Sequence, residues 1–563
     1  MWNKSIVLLF ISFLINLTVF SQELIPTLTH EMTPEEELRK NEIGLAFSPT
    51  DPPLAPVRAI AEFEPMEGVL IRYPFGIPYA LIAEIAEDCM VKTIVSGTSQ
   101  KNTVIGLYIA NGVDTSHCEW LIAPTNSYWT RDYGPWFVAD SNHKVGICEF
   151  PYNRPRPSDD NIPVVLAQQM GVPLYGMNLI HTGGNWMCDG MGKASSTELV
   201  LTENAGLTEL QIDSVVNAYL GVDTYHVLPD PLDDYIEHID CWGKFLDIDK
   251  VLIGQVPKTD YRYADYEYVA QYFASHISSY NTPYEVVRIY TPGTYPYTPY
   301  TNSLILNHKV FVPITGSQWD DEALAVYQSA MPGYEIIGIP YSSWQNTDAL
   351  HCRAIGIADT GMLYIHHVPI LGDQDFSLNY EITAEIIPYT GIGVTADSPK
   401  CYYKVDNGEY QIISLQYQGG HQYKAILPYL EPGSDVSYYI QASDSTGRTA
   451  KHPIIGAPDP HLFSIGTEIE NVSGYWTGVT SANWNNPSNW SDNTIPDGST
   501  NILIPAGAIH WPVFEGNLSL GVNCRDIFID ETAQLTVNGF ISINPGRNLI
   551  IKNNGVVNQL DSQ

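Results

Sequence analysis

Basic side chains are scarce in this chain. Its 563 residues include 27 lysines and arginines against 63 aspartates and glutamates, which gives a formal net charge of −36. Proteins that bind nucleic acid or anionic membranes use lysine and arginine to contact phosphates, so this balance disfavours both partners. The excess of acid favours solubility and can attract cationic substrates, although general surface acidity explains the charge equally well.

Paired cysteines and long apolar segments are also lacking. The eight cysteines are scattered without a Cys-x-x-Cys pair, so neither a zinc site nor a disulfide framework is predicted. After the first two dozen residues, no stretch is long and apolar enough to span a bilayer. The early apolar run, residues 6–20, follows a basic start at Lys4 and precedes the small residue Ser21. This pattern predicts a signal peptide over residues 1–22 and a secreted or cell-surface protein.

The character of the sequence changes several times along the chain. Residues 23–58 are polar and contain proline, which is typical of an N-terminal extension. Over residues 59–375, β-rich runs such as Val69-Leu-Ile-Arg-Tyr73 and Val251-Leu-Ile-Gly254 alternate with amphipathic helical stretches such as residues 79–89. This alternation predicts an α/β domain.

Two β-rich regions are predicted after the α/β domain. Residues 376–466 contain short alternating strands separated by Asn-Gly, Pro-Gly and Thr-Gly turns, a pattern typical of an immunoglobulin-like sandwich. Residues 467–563 are rich in asparagine and tryptophan and predict a small separate β module. We expect its Asn-Trp pairs to pack a core rather than to bind sugar.

One cysteine, one histidine and two aspartates form a candidate catalytic set. A guanidinium group is planar and permanently charged, so its site needs carboxylates that accept paired hydrogen bonds. Attack on its central carbon needs a thiolate, and a histidine must protonate the departing ammonia and then activate water. The sequence offers Cys352, His238, Asp132 and Asp240 for these tasks. On a strand, His238 and Asp240 would face the same way, and a cation beside Cys352 would lower the pKa of its thiol.

Each of these residues also has an ordinary structural interpretation. Asp132 can cap a turn or pair with Arg131, and a single histidine is usually structural. A single cysteine such as Cys352 is most often a buried apolar residue. Only the four residues together favour an enzyme.

Six segments of the chain follow one another in an order that resembles the guanidine-modifying, or pentein, superfamily. They are Ala61-Glu-Phe-Glu-Pro-Met-Glu-Gly68, Trp129-Thr-Arg-Asp-Tyr-Gly-Pro-Trp136, Gly183-Gly-Asn-Trp186, Glu237-His-Ile-Asp-Cys-Trp242, Tyr300-Thr-Asn-Ser303 and Asp348-Ala-Leu-His-Cys352. Within it, the chain is most similar to the branch of bacterial peptidylarginine deiminases and agmatine deiminases.

The resemblance implies a fold and a set of roles. The catalytic domain would be a five-bladed α/β propeller of repeated ββαβ units, followed by the immunoglobulin-like domain and the β-rich C-terminal segment. Cys352 would be the nucleophile, His238 the general acid and base, and Asp132 and Asp240 the guanidinium clamps. Asn302 would lie beside the catalytic centre.

The resemblance also implies a substrate site. Arg154 and Arg156 match positions that bind the α-carboxylate of a C-terminal arginine in secreted bacterial peptidylarginine deiminases. In the alternative interpretation they lie in a solvated loop and pair with Asp159 and Asp160. Three further residues complete the predicted substrate site: Trp129, Tyr235 and Asn185, the last of which would shape the pocket.

The sequence therefore predicts hydrolysis of peptidyl-arginine, with a preference for C-terminal arginine, through a covalent thiouronium on the cysteine. The chemistry needs no cofactor, although the acidic stretch Asp230-Pro-Leu-Asp-Asp234 offers ligands for structural calcium. Peptides or proteins that end in arginine would be the partners. Three alternatives stay open, namely an agmatine deiminase, an amidinotransferase and a catalytically silent surface-binding protein. A cysteine protease is less favoured, because amide hydrolysis has no need of two acids at a guanidinium pocket.

Overall fold

The computed structural model describes residues 28–374, 380–428, 430, 433–466, 474–519, 524–530, 532–543, 547–551 and 555–560. The predicted signal peptide, residues 1–22, lies outside the described residues. Two compact units divide the chain. The first includes the residues up to Val368 together with 386–395 and 442–459, and the second includes 369–385, 396–441 and the residues from Pro460 onward. Among the described residues, no helix combines the length and the apolar character needed to cross a membrane.

Residues 58–358 of the first unit, all of which are described, form five sheets that share one plan. In each sheet two antiparallel strands are followed, through helix, by a third strand parallel to the second. Sheet by sheet, the strands are Trp136–Ala139, Val145–Glu149 and Leu174–Gly176; Met187–Cys188, Lys193–Thr197 and Thr224–Leu228; Gly243–Phe245, Lys250–Gln255 and Glu285–Tyr290; Leu304–Leu306, Lys309–Ile314 and Glu335–Pro340; and Ile355–Ala358, Met66–Arg72 and Met90–Val95. Two further strands, Arg58–Ala59 and Cys118–Ile122, extend the first and the last of these sheets.

The last sheet takes its first strand from the far end of this region. Ile355–Ala358 pairs antiparallel with Met66–Arg72, so the chain closes on its own beginning. The helices of the first unit are Pro34–Glu37, Tyr79–Ile85, Thr98–Ala110, Pro157–Asp160, Ile162–Met170, Leu199–Glu203, Glu209–Leu220, Tyr263–Ser275 and Asp320–Ala330. The predicted α/β alternation is confirmed, including the strands at 69–73 and 251–254 and the helix that begins at Tyr79.

The helix Glu209–Leu220 shows how local sequence sets these elements. The hydroxyl of Thr208 accepts a hydrogen bond from the Gln211 backbone, and the Gln211 side chain accepts one from the Thr208 backbone. This reciprocal pair satisfies two N–H groups that the first turn leaves without partners. Gly221 ends the helix at φ +67°, a conformation that glycine adopts without steric cost.

Strands at the centre of these sheets are apolar without interruption. Residues 69–71, 251–253 and 310–312 are fully buried in three different sheets. Such continuous burial is typical of parallel strands that are covered on both faces, whereas a strand with one solvated face alternates. The loops that carry polar side chains therefore lie at the strand ends, where the candidate catalytic residues are found.

Most of the strands between residues 372 and 465 belong to two mainly antiparallel sheets. One contains Glu381–Pro388, Gln422–Ile426 and Gln416–Gly419, and the other contains Gly372–Gln374, His461–Ile465, Asp435–Ser443, Lys400–Val405 and Gln411–Ser414. The immunoglobulin-like topology over 376–466 stays a prediction, as do the boundaries of the domains.

From Gly474 onward the strands pair in parallel. The three ladders are Gly474–Tyr475, Ile502–Ile504, Ile527–Ile529 and Leu549–Ile551; Val513–Glu515, Gln534–Asn538 and Val556–Leu560; and Leu518–Ser519 with Ile541–Ser542. From Ile502 onward, successive strands of one ladder are separated in sequence by strands of the other ladders. Trp476, Trp484 and Trp490 are buried in its core, and the ring of Trp490 lies 4.9 Å from each of the other two. The expectation that the Asn-Trp pairs pack a core is confirmed.

Candidate active site

Each segment that carries a predicted catalytic residue lies immediately before the first strand of one of the five sheets. Residues 129–134 precede Trp136–Ala139, and the 3-10 turn Gly183–Asn185 precedes the next sheet. The same position in the remaining three sheets is taken by the turn Ile239–Cys241, by residues 301–303 and by the turn His351–Arg353. The repeated plan thus gives the site five equivalent loops.

Hydrogen bonds join these loops to one another. The backbone N–H of Arg131 donates to the carbonyl of Cys352 at 3.2 Å, and that of Gly183 donates to the carbonyl of Asp132 at 2.8 Å. The N–H of His351 donates to the carbonyl of Asn302 at 3.1 Å. Residues that are far apart in sequence are therefore held in one cluster by buried backbone, which fixes their relative positions.

Cys352 is fully buried on the turn His351–Arg353. The side-chain amide of Asn302 donates to its sulfur at 3.3 Å, and Asn302 Oδ1 accepts from the backbone N–H of Cys352 at 3.3 Å. The carboxylate of Asp240 lies 3.8 Å from the sulfur. Burial, together with the nearby acids Asp240 and Asp132, raises the pKa of the Cys352 thiol to about 11. A hydrogen bond with Cys241 acts in the opposite direction and lowers this pKa. The thiol is thus protonated at neutral pH. The lowered pKa that the sequence predicts for this thiol requires a guanidinium bound beside it.

His238 and Asp132 form the opposite wall of the site. Nδ1 of His238 lies 3.8 Å from Oδ1 of Asp132, and both side chains are buried. Burial lowers the pKa of His238 to about 3, so the imidazole is neutral and able to accept a proton. Within the part of the chain that the structure describes, neither ring nitrogen of His238 nor Asp132 Oδ1 has a hydrogen-bond partner. Buried polar atoms that have no hydrogen-bond partner are suited to a ligand rich in N–H donors.

Two glycines allow this close packing. A Cβ atom added at Gly184 would lie 2.4 Å from Nδ1 of His238 and 2.9 Å from Oδ1 of Asp132. A Cβ atom at Gly183 would lie 2.0 Å from the carbonyl oxygen of Arg131. The neighbouring Asn185 accepts hydrogen bonds through Oδ1 from the backbone of Thr197 at 2.8 Å and of Ile239 at 3.3 Å. The segment therefore shapes the site, and a direct contact between Asn185 and substrate stays a prediction.

The strand predicted for His238 and Asp240 is wrong. His238 is extended, with φ −91° and ψ 133°, but it caps the 3-10 turn Ile239–Cys241, which contains Asp240. The alternation of a strand therefore does not apply, although both side chains are buried in the site. Asp240 Oδ2 is bonded to Nδ1 of His351 at 2.6 Å, and this partner fixes its orientation.

A buried charge network around Glu62 supports Asp240 and was missed by the sequence reasoning. Nε2 of His351 lies 2.5 Å from Glu62, whose carboxylate also pairs with Arg131 and Lys244 at 2.9 Å. Burial alone would raise the pKa of Glu62, but these cationic neighbours hold it well below the usual range. Glu62 and His351 both lie in segments that carry the family resemblance, yet their spacing of 289 residues gives no sign of the pairing.

Arg154 and Arg156 are buried rather than solvated. The carboxylate of Asp159 accepts hydrogen bonds from the backbone of Asn126 and from Ser127, and Asp160 accepts one from the backbone of Tyr152. The alternative interpretation, a solvated loop with local ion pairs, is therefore wrong. Arg156 instead binds the carboxylate of Glu36 through Nε at 2.7 Å and Nη2 at 3.1 Å.

Two aromatic residues of the predicted site have different surroundings. Trp129 is buried, and its ring stacks at 4.7 Å on the imidazole of His30 and lies 5.2 Å from the guanidinium carbon of Arg156. Tyr235 is 45% exposed, and burial of the rest of its side chain raises the pKa of its phenol. Contact of Tyr235 with substrate stays a prediction.

Among the described residues, one group of side chains lies close enough together to hold a metal ion: His30, Asp132 and His238. Nε2 of His30 and Oδ2 of Asp132 are 2.6 Å apart, whereas two ligands of one tetrahedral zinc ion are separated by about 3.3 Å. The contact is thus a hydrogen bond. The acidic stretch 230–234, considered for calcium, forms no such group within the same described part of the chain, and burial raises the pKa of Asp230 to about 7.

The family model of Porphyromonas-type peptidyl-arginine deiminases matches residues 58–355, more than half of the chain. The chain belongs to this family. Its members are hydrolases that act on the C–N bonds of linear amidines, so the chain is a deiminase of guanidine groups. The predicted family and enzyme class are confirmed.

Individual relatives are more distant. A Vibrio parahaemolyticus protein named as an agmatine deiminase is 27% identical over 256 residues, which are 38% of this chain and 71% of the relative. The crystal structure of a Porphyromonas gingivalis protein named as an arginine deiminase is 22% identical and covers 54% of this chain and 99% of its own, with a TM-score of 0.49. The structure of the agmatine deiminase of Enterococcus faecalis is 19% identical and covers 54% of this chain and 96% of its own, with a TM-score of 0.47.

Proposed function

We propose that this deiminase hydrolyses the guanidinium group of arginine at the C-terminus of peptides and leaves citrulline and ammonia. The observation that carries the proposal is the buried Arg154 and Arg156 pair next to Trp129 and the Asp132 pocket. Arg156 already holds a carboxylate, that of Glu36, with two hydrogen bonds. A C-terminal arginine carries both groups on one residue, namely a guanidinium for Asp132 and an α-carboxylate for Arg154 and Arg156.

The alternative substrate is agmatine, which the name of the Vibrio parahaemolyticus relative suggests. Agmatine has a second cationic group, an ammonium, where a C-terminal arginine has its amide and carboxylate. Two buried guanidinium groups repel that ammonium in surroundings where charges are weakly screened. An internal arginine has no carboxylate at this position, so the pair gains nothing from it. The charges at Arg154 and Arg156 therefore favour the C-terminal residue.

The first half of the reaction follows from the position of each group. A guanidinium that binds between Asp132 and Asp240 adds positive charge beside Cys352 and lowers the pKa of its thiol. His238, which is neutral, accepts the thiol proton as the sulfur attacks the guanidinium carbon. The amide of Asn302, 3.3 Å from the sulfur, donates to the developing thiolate. His238 then returns the proton to one amine, which leaves as ammonia and gives a covalent thiouronium.

The second half uses the same residues in the opposite sense. His238 removes a proton from water, and the resulting hydroxide adds to the thiouronium carbon. The carbon–sulfur bond breaks as the adduct's hydroxyl loses its proton to solvent, where it converts the released ammonia to ammonium. The sulfur of Cys352 recovers a proton from His238, and citrulline is released. Citrulline is neutral, so Asp132 and Asp240 bind the product less tightly than the substrate.

We also propose that the five sheets are the blades of one propeller. Their shared plan and the closure of the last sheet by Ile355–Ala358 support this arrangement. The five equivalent loops would then meet at one end of the propeller axis, where the site lies.

Export of the protein is a further proposal and rests on the signal-peptide pattern of residues 1–22. N-terminal sequencing of protein recovered outside the cytoplasm tests it, and an intact Met1 found only inside the cell would contradict it.

The substrate proposal is tested with three substrates at equal concentration. The purified chain and its Cys352→Ala variant are incubated with a peptide that ends in arginine, with the same peptide amidated at its C-terminus, and with agmatine. We expect citrulline from the free-acid peptide, with kcat/KM about 10- to 100-fold above that of the amide, because charge-assisted hydrogen bonds contribute about 1.5–3 kcal/mol. Ammonia from agmatine alone would refute the proposal, and activity of Cys352→Ala would refute the mechanism.

A further inference from the structure

Residues 28–37, here called the N-terminal plug, lie in the proposed substrate site. His30 is 4% exposed, and its Nε2 is bonded to Oδ2 of Asp132 at 2.6 Å. Its ring stacks on Trp129 and meets the ring of His238 edge-on at 5.7 Å. Its Nδ1 is bonded to the carbonyl of Thr347 at 3.2 Å. A carboxylate and a backbone carbonyl are hydrogen-bond acceptors, so the two ring nitrogens of His30 face acceptors on both sides.

The other end of the plug supplies a negative charge. Glu36 lies in the short helix Pro34–Glu37, whose first turn is closed by reciprocal hydrogen bonds with Thr33. Its carboxylate accepts two hydrogen bonds from Arg156, and Arg156 donates a third to the carbonyl of Thr29 at 2.8 Å. Burial alone would raise the pKa of Glu36, but the hydrogen bonds from Arg156 and Thr33 bring it below its ordinary value. The carboxylate is therefore charged at neutral pH.

We propose that the N-terminal plug is an inhibitory segment that occupies the substrate site of its own chain by copying the hydrogen-bonding pattern of a C-terminal arginine. The imidazole of His30 takes the place of the guanidinium on Asp132, and the carboxylate of Glu36 takes the place of the α-carboxylate on Arg156. Arg154 also contacts the plug, through the carbonyl of His30 at 3.4 Å. Plug and substrate therefore exclude one another.

The plug is itself inert to the reaction. An imidazole has no terminal amine to lose as ammonia, so attack by the thiol of Cys352 would have to open an aromatic ring. The segment that follows the plug is accessible for its removal, because residues 38–42 are all exposed and include Arg39 and Lys40. Cleavage after either residue separates the plug from the rest of the chain. The inference rests on the proposed substrate site.

The test compares an opened variant with a matched control. His30→Ala with Glu36→Gln removes both charged contacts, whereas Glu31→Ala with Glu35→Gln changes exposed neighbours in the same segment. Two readouts are measured: kcat/KM for the peptide that ends in arginine, and alkylation of Cys352 by iodoacetamide, followed by mass spectrometry. We expect both rates to rise at least about ten-fold in the opened variant and to stay unchanged in the control, since apparent affinity scales with the fraction of open sites.

A synthetic peptide of residues 28–37 keeps the test decisive if the opened variant folds poorly. Added to the chain that has been cleaved by trypsin after Arg39 or Lys40, it should inhibit competitively, and the same peptide with His30→Ala should inhibit at least about ten-fold less. Equal rates for the wild-type chain and the opened variant, without inhibition by the peptide, would overturn the plug. Activation of the wild-type chain by a chelator alone would overturn it as well, in favour of a metal-held segment. Faster alkylation of Cys352 without turnover of any substrate would support the plug and refute the proposed function.

Discussion

The substitution Gly184→Ala tests the packing of His238, the proposed general acid and base. Its added methyl carbon would lie 2.4 Å from Nδ1 of His238 and 2.9 Å from Oδ1 of Asp132. Non-bonded heavy atoms rest about 3.5 Å apart, so the imidazole must move by about 1 Å and the carboxylate by about half as much. A displacement of that size at a reacting group costs about 100-fold in rate. We therefore expect kcat to fall at least about 100-fold.

The fold should survive this change. Overpacking a buried position costs about 1–3 kcal/mol, which a domain of this size tolerates. A matched control is Gly106→Ala, on the exposed side of the helix Thr98–Ala110, where an added Cβ meets nothing within 4 Å. This control should keep full activity and gain about 0.5–1 kcal/mol in the free energy of unfolding, because alanine replaces glycine in a helix.

The assay measures citrulline released from the peptide that ends in arginine, in the background of His30→Ala with Glu36→Gln so that the plug does not mask the effect. Thermal unfolding of each variant shows that the chain is folded. If Gly184→Ala keeps more than a tenth of kcat while remaining folded, His238 is not the group whose position limits the reaction, and the assignment of the general base is wrong.

Three other predictions concern the nucleophile and its supports. Cys352→Ala should abolish turnover with a small change in stability, and residual activity would place the nucleophile elsewhere. Burial raises the pKa of the Cys352 thiol to about 11, so its alkylation should accelerate about tenfold per pH unit between pH 7 and 10. A guanidinium ligand that does not block the reagent should lower that pKa. A pKa of the thiol that rises when the ligand binds would contradict the mechanism. Glu62→Gln leaves the buried cations of Arg131 and Lys244 without a charged partner and should cost about 3–5 kcal/mol in thermal unfolding, whereas an unchanged unfolding temperature would show that the network contributes little.

The sequence predicted which residues gather at the candidate site better than it predicted the contacts that hold them. Cys352, His238, Asp132 and Asp240 follow from what a guanidinium demands, and the structure buries all four in connected loops. The pairing of His351 with Glu62 could not be foreseen, because it joins residues 289 positions apart. The His-x-Asp spacing fits a strand, where alternate residues share a face, but it fits the start of a 3-10 turn equally well, and the structure has the turn.

Similar limits apply to the two ends of the chain. The short apolar runs after Gly474 indicate strands, but whether such strands pair in parallel or antiparallel depends on partners that lie elsewhere in the sequence. The polar residues 23–58 had the composition of an extension, since His30 and Glu36 acquire meaning only beside Asp132 and Arg156. Charge complementarity across more than 100 residues is invisible until the fold brings the groups together.

The five-fold plan gives a physical reason why the site lies where it does. Each sheet has the same loop before its first strand, so residues spread along the chain in successive repeats arrive at one place, as Asp132, Gly184, His238, Asn302 and Cys352 do. The loop of Cys352 precedes Ile355–Ala358, the strand that completes the last sheet, and its neighbour Arg353 binds Asp348 through two hydrogen bonds of 2.8 Å. The position of Cys352 therefore depends on the pairing of that strand. A change that weakens the pairing of Ile355–Ala358 with Met66–Arg72 should lower both kcat and the free energy of unfolding, because residues of the last sheet belong to the same buried clusters as residues of the first and fourth sheets.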